Sequence, residues 1–207
     1  MAVIEGLGTC LLVFALGAGA SGLTTLQVSP MAISLYASLL NFVGLSLFIM
    51  AAAPASGGHL NPSITMATFF AGLSTLPRSV LYIVAQTLGA IVAGYWLELG
   101  LGEQYFPVVS RLQHLNANAK LEDLLKITQG VIPGCTVETA QVSPGQLFAL
   151  EYMFALGLMF LAFGVGLDPR QGKNLGPALS PILVGVTLGF ATLASSAAKP
   201  GYTGVCK

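Results

Sequence analysis

The chain has 207 residues, 55% of them hydrophobic and 8% charged, whereas soluble domains carry roughly a quarter charged residues. That excludes an ordinary water-soluble fold and points to a protein dissolved in lipid. Eight Lys and Arg balance eight Asp and Glu, which leaves no electrostatic footprint for nucleic acid, and Cys10, Cys135 and Cys206 are too few and too scattered for a zinc knuckle or a disulfide framework.

From Met1 to Leu97 the only formal charges are Glu5 and Arg78. A bilayer crossing needs about 20 predominantly apolar residues, and five stretches supply them, at 2–23, 32–53, 78–98, 146–167 and 176–197. The first lacks the basic start of a signal peptide and carries Glu5, so it reads as a span. After the second span, Pro54 to Leu60 is too rich in Gly and Pro for helix. Residues 61–72 are apolar again but only about half the crossing length, which predicts a re-entrant half-helix. Asn61 suits its N-cap, Pro62 its first helical position and Gly72 its stop. Non-helical backbone at membrane depth is tolerated only where it is buried in protein or lines a wet cavity.

Residues 100–145 form a long loop, and Glu103 to Glu138 holds seven of the sixteen charges. Within it, Leu121, Leu124 and Leu125 among charges predict a short amphipathic helix over residues 115–129. Arg78, Arg170 and Lys173 fall on one side of the membrane, which makes the 168–174 loop cytoplasmic and the long loop extracellular. The first and fourth spans both begin with a single acid, Glu5 and Glu151, in an otherwise apolar helix. Three spans separate the copies, so the halves are inserted with opposite topology and a site falls at their mid-membrane interface. Asn61 follows Glu5 by 56 positions, and 56 positions beyond Glu151 is Lys207, preceded by the Gly-rich Gly201-Tyr202-Thr203-Gly204-Val205-Cys206. The repeat predicts a second half-helix at or just past Lys207 and a sixth span after it. The organisation is therefore a first repeat over 1–99, the loop over 100–145 and an incomplete second repeat over 146–207.

Glu5 in span one, Gly57-Gly58-His59-Leu60-Asn61-Pro62-Ser63-Ile64-Thr65, Tyr82-Ile83-Val84-Ala85-Gln86 with Gly89-Ala90, Glu151 in span four and Tyr202-Thr203-Gly204 together resemble the aquaporin, or major intrinsic protein, family. Pro133-Gly134-Cys135, Val142-Ser143-Pro144-Gly145 and Lys199-Pro200-Gly201 look more specifically like the X intrinsic proteins of fungi and plants. The resemblance implies an all-α membrane protein, an inverted-repeat helical bundle with five transmembrane helices and one half-helix here. It implies a passive channel for water or small neutral solutes such as glycerol, urea or hydrogen peroxide, not an enzyme, with no cofactor and no metal. The implied partners are the lipid bilayer, the solute and, for a complete chain, three further copies in a homotetramer; the plasma membrane is the favoured location. Two departures stand out. Asn61-Pro62-Ser63 replaces the family's usual Asn-Pro-Ala, and the second signature, with its arginine, is missing. Asp168-Pro169-Arg170 imitates it, but only one span would then separate it from the third, so it reads as the turn into span five.

In that family two half-helices meet at mid-membrane. The Asn61 amide caps its helix while its N–H groups can donate to a passing solute, and the positive end of the helix opposes cations and proton relay. Gly57, Gly58, His59 and Leu60 would offer a ladder of carbonyl acceptors, with the glycines adopting extended backbone freely. Gly204, Val205 and Cys206 would do the same from the second half, and Cys206 would be the site of mercurial block. Glu5 and Glu151 are costly in lipid and should accept bonds from unpaired loop N–H groups; Gln86 either satisfies loop backbone or joins helices. Small-residue pairs Ala90–Gly94 and Gly185–Gly189 would let helices approach closely. Asn41, Phe42 or Val43 on span two and Ser195 or Ser196 on span five are the candidates for the outer constriction. Asn41 or Val43 facing the pore would give a filter wider than a strict water pore; Phe42 would not. The alternatives are an intramembrane serine hydrolase using His59, an ion-coupled transporter and a non-conducting fragment. The expectation for the 207 residues alone is that they do not conduct.

Overall fold

The computed structural model describes residues 1–25, 29–101, 142–196 and 198. The amphipathic helix expected over 115–129, Cys135, and the re-entry with Gly204, Val205 and Cys206 lie outside them. The described chain folds into α1 (Ala2–Thr25), α2 (Pro30–Ser56), α3 (Pro62–Phe70), α4 (Leu76–Leu101), α5 (Pro144–Ala162), a π turn (Phe163–Leu167) and α6 (Pro169–Ser196). All but α3 contain a stretch long and apolar enough to cross a bilayer, and no strand occurs among the described residues. This is an all-α, multi-pass membrane protein.

Local chemistry sets the helix starts. Ser29 Oγ accepts from Ala32 N at 3.3 Å ahead of Pro30. Ser143 and Gln146 form a reciprocal capping box ahead of α5. Packing then orders the helices. Gly6 lies against Ala85 and Gly17 against Leu97, so α1 runs parallel to α4, while Gly19 against Leu40, and Leu16 and Leu12 against Gly44, make it antiparallel to α2. The two halves meet where α2 crosses α6: Ser38 Oγ donates to Gly189 O at 2.6 Å, and Ser46 Oγ lies 2.8 Å from Phe42 O and 3.4 Å from Ile182 O. A side chain on Gly185 would run into Ser46 Oγ and the Phe42 carbonyl, and one on Gly89 into the Gly6 carbonyl. Lipid is as apolar as leucine, so association rests on such close approach and on polar contacts rather than on apolar burial. Accordingly Leu39, Leu47 and Phe160 face outward while Glu5, Thr65 and Gln86 are buried. Two small apolar clusters, Leu12–Ala52–Leu60 and Leu158–Leu188–Ala191, share Leu45.

Four expectations are corrected. Residues 54–56 are helical: Pro54 sits in the last turn of α2, where its missing N–H removes one bond, and Gly57 N closes that turn on Ala53 O at 3.0 Å. Gly57 and Gly58 are left-handed (φ 98° and 66°), not extended. The 168–174 segment is largely helical from Pro169, and α6 is kinked at Gly176 (φ 73°, ψ 170°) ahead of Pro177. In α4 the close approach falls on Gly89; nothing lies within 4 Å of where a side chain on Gly94 would start. The half-helix ends at Phe70, with Ala71 as its cap and Gly72 at φ 73°.

Candidate functional site

The site is the turn between α2 and α3. Ser56 ends α2, and two left-handed glycines reverse the chain within four residues, which a Cβ would oppose at both. At Gly58 it would also press on Ile49 O and Ala53 N at 3.2 Å. Leu60 is itself left-handed at φ 50°, which costs of order 1–3 kcal/mol. That strain is offset by its burial against Leu12 and Ala52 and by its N–H bond to Glu5.

Glu5 is completely buried on α1 and holds the turn. Its Oε1 accepts from Ser56 Oγ at 2.5 Å and His59 N at 3.0 Å; its Oε2 accepts from Leu60 N at 2.7 Å and Gln86 Nε2 at 2.9 Å. Four donors occupy the four lone-pair positions of one carboxylate, which satisfies both the acid and two loop N–H groups that would otherwise be orphaned. Gln86 bonds Glu5 and Thr65 Oγ1 (3.1 Å) rather than loop backbone. Thr65 Oγ1 in turn lies 3.0 Å from Asn61 O and 3.2 Å from His59 Nδ1, so α4, α3 and the turn share one network.

Ser56, Thr65, Arg78 and Tyr82 belong to this network and were missed from the sequence. Tyr82 Oη donates to Ser56 O at 2.7 Å, and Arg78 Nη2 donates to the same carbonyl at 2.6 Å. The Arg78 guanidinium lies 5.0 Å from the Tyr82 ring centre, and His59 meets that ring edge-on at 5.5 Å. Arg78, Tyr82 and Gln86 recur every four residues on one α4 face, a polar stripe that spacing could have revealed. His59 Nδ1 is engaged by Thr65 Oγ1, and no three His, Cys, Asp or Glu side chains converge among the described residues.

Asn61 is extended (φ −152°, ψ 126°), and its Oδ1 accepts from Ser63 N at 2.7 Å and Ile64 N at 3.4 Å. Capping therefore uses only the oxygen. Asn61 is half-buried, and its Nδ2, at the positive end of α3, donates to nothing among the described residues.

The candidates on α2 separate by angle. Leu40 and Gly44 touch α1, whereas Ser38, Phe42 and Ser46 touch α6. At about 100° per residue, Asn41 falls between these contact lines with Leu45, on the inner face, and is 7% exposed. Its Nδ2 donates to Ala37 O at 2.7 Å, and its Oδ1 has no partner among the described residues. Val43 faces outward with Leu39, Leu47 and Met50, at 42% exposure, and Phe42 packs over Gly189. Eleven residues separate Asn41 from Ala52 under the turn, about 16 Å of helix. On α6, Ser195 is fully buried and its Oγ donates to Thr192 O at 3.2 Å, while Ser196 bonds Leu193 O at 3.0 Å. Glu151 is half-buried on α5.

The chain resembles known proteins along nearly all its length. It is 29% identical over 200 residues to Aquaporin TIP1-2 of Zea mays, covering 95% of this chain and 67% of the relative. It is 29% identical over 161 residues to Aquaporin TIP1-1 of Arabidopsis thaliana (78% and 53%) and 28% identical over 161 residues to Probable aquaporin TIP-type of Medicago truncatula (78% and 52%). The chain thus spans between about half and two thirds of the length of these relatives. The family described as Major intrinsic protein matches residues 1–205, and with a turn, half-helix and bundle arranged as above, the chain belongs to that family.

Proposed function

We propose that the protein is a passive transmembrane channel for water and small neutral solutes, with Asn61 and the carbonyls of Gly57, Gly58, His59 and Leu60 lining its narrow middle. The observation that carries this reading is the division of labour within Asn61: the oxygen is consumed by the cap, and the two N–H donors at this helix N-terminus have no acceptor among the described residues. Such donors replace part of a solute's hydration, and the helix dipole behind them repels cations. Glu5, Gln86 and Thr65 position the turn and touch no solute.

Asn41 on the inner face of α2, with Val43 outside and Phe42 against α6, supports an outer constriction without a bulky ring. That favours passage of glycerol or urea alongside water. Family membership supports the remaining features of the reading: Glu151 supporting a second re-entrant turn through Gly204, Val205 and Cys206, Ser195 or Ser196 lining the outer constriction, and assembly as a homotetramer within a membrane. The test is osmotic. Proteoliposomes holding the protein expressed from its full reading frame should shrink or reswell faster than protein-free vesicles under water, glycerol and urea gradients, at rates indifferent to ion gradients. Rates equal to those of protein-free vesicles would contradict the reading. Asn41→Phe should slow glycerol and urea more than water.

A further inference from the structure

Thr65 Oγ1, fully buried on α3, has several polar neighbours and a single proton to share among them. Gln86 Nε2 donates to it at 3.1 Å, in an amide orientation fixed by the other N–H, which Glu5 Oε2 accepts at 2.9 Å. Asn61 O at 3.0 Å and Gln86 Oε1 at 3.3 Å are acceptors only, whereas His59 Nδ1 at 3.2 Å either donates or accepts. We propose that Thr65, together with Arg78, fixes His59 as the tautomer protonated at Nδ1, so that Nε2 presents a lone pair to the solute passage.

The bonding capacity of the hydroxyl argues for it. Asn61 O is the nearest acceptor for the Thr65 proton and the ordinary partner, one turn back, of a threonine in a helix. Spending the proton there leaves Oγ1 two lone pairs. The Gln86 N–H takes one, and the other is filled only if Nδ1 carries a proton and donates. The opposite tautomer would draw the Thr65 proton away from both oxygens and onto the ring nitrogen. The hydrogen bond at one ring nitrogen thereby sets the state of the other.

The far edge of the ring points to the same tautomer. His59 Nε2 and Arg78 Nη2 lie 3.6 and 3.5 Å from where a side chain on Gly57 would begin, so the guanidinium and this ring edge are neighbours. A guanidinium is a cation with donors only; beside it a lone pair is favoured and an N–H opposed. Glu5, the other charged group here, bonds the His59 main-chain N–H and has all four lone-pair positions taken. Tyr82 meets the ring edge-on, and its hydroxyl is committed to Ser56 O. Nε2 itself has no partner among the described residues. His59 is half-buried and Gly57 beside it is exposed, so the acceptor stands on the open side of the turn.

This inference rests on the channel reading and adds a chemical requirement to it. Asn61 Nδ2 donates to a solute oxygen, and His59 Nε2 accepts from a solute O–H or N–H. Water, polyols and ureas carry both kinds of group; a solute with acceptors only, such as a ketone or an ether, sets a lone pair against a lone pair. His59 is then a residue that touches solute, and Thr65 a positioning residue acting through it.

Nitrogen NMR of ring-labelled histidine, on the protein in proteoliposomes at about pH 8, where an ordinary imidazole is neutral, reads the tautomer. His59 and His114 are the only histidines, and His114→Gln separates their signals. The form protonated at Nδ1 should be in about tenfold excess, and the bare Nε2 should receive magnetisation from water protons. A proton mainly on Nε2, or an Nε2 that water does not reach, would overturn the proposal. Thr65→Val, which removes the hydroxyl, should lower the excess at least about threefold, the effect of one hydrogen bond, whereas Thr65→Ser should keep it. A folded Thr65→Val protein with the parent's ratio, or a Thr65→Ser protein that loses it, would equally overturn the proposal. The tautomer is read without any flux, so its failure leaves the channel reading standing, and failure of the osmotic test leaves the tautomer in place.

Discussion

Replacing Glu5 by Gln preserves volume and shape but exchanges one acceptor oxygen for a donor. Oε1 receives Ser56 Oγ and His59 N, and Oε2 receives Leu60 N and Gln86 Nε2. The Ser56 hydroxyl can rotate to accept, and the Gln86 amide can turn over, but a backbone N–H can do neither. Whichever way the new amide faces, His59 N or Leu60 N meets a donor. One orphaned buried N–H plus the weakening of the remaining bonds to a neutral acceptor amounts to about 2–4 kcal/mol. For a chain of this size that lowers the midpoint of thermal unfolding by about 5–15 °C. Melting of the purified protein in detergent, followed by Trp96 fluorescence, measures it. A Glu5→Gln protein that melts within about 1 °C of the parent would refute the carboxylate's role in holding the turn.

Tyr82→Phe removes one of two donors to Ser56 O while Arg78 keeps the other, so it should cost only about 1 kcal/mol, read in the same melt. Gly89→Ala forces a methyl onto the Gly6 carbonyl and should destabilise by about 1–3 kcal/mol, whereas Gly94→Ala, with open space around it, should change stability by less than about 0.5 kcal/mol. At the exposed turn before α6, the side-chain hydrogen bond from Arg170, followed by its backbone N–H, holds the Asp168 carboxyl below the usual carboxylate range. A depressed folded value means the contact stabilises at neutral pH and is lost as pH falls through that value. Carbon NMR titration of Asp168 should show its midpoint rise in Arg170→Gln, and an unchanged midpoint would contradict the pairing.

The bundle was legible because its signals are local and strong: length, apolarity and the scarcity of charge mark the spans, and Asn61-Pro62 after a Gly pair marks a helix start whatever surrounds it. Side-chain partners were less legible. That Glu5 supports a loop follows from the cost of burying an acid, but which donors reach it depends on α1 lying parallel to α4, set by Gly6 and Gly89 at a distance no periodicity encodes. Pro54 misled because a proline is a stronger breaker in a helix interior than in a last turn closed by Gly57. The kink at Gly176 and the π turn before it, with Asp168 N bonded to Phe163 O at 3.2 Å, arise from the way α5 and α6 fold back on each other. The orientation of Asn41 became clear only once two helices touching α2 fixed its inner face.

The central claim, that the free amide of Asn61 serves a passing solute, is tested most directly by Asn61→Ser in stopped-flow permeability measurements on proteoliposomes at matched protein density. Serine caps a helix about as well as asparagine, so the turn and its stability should survive, but the two N–H donors are gone. Losing one solute hydrogen bond of about 1.4 kcal/mol corresponds to a tenfold drop in water and glycerol permeability per protein. A drop of that order with an unchanged melting midpoint is the predicted result. Permeability equal to the parent's in a folded Asn61→Ser protein would contradict it, leaving Asn61 as a helix cap alone.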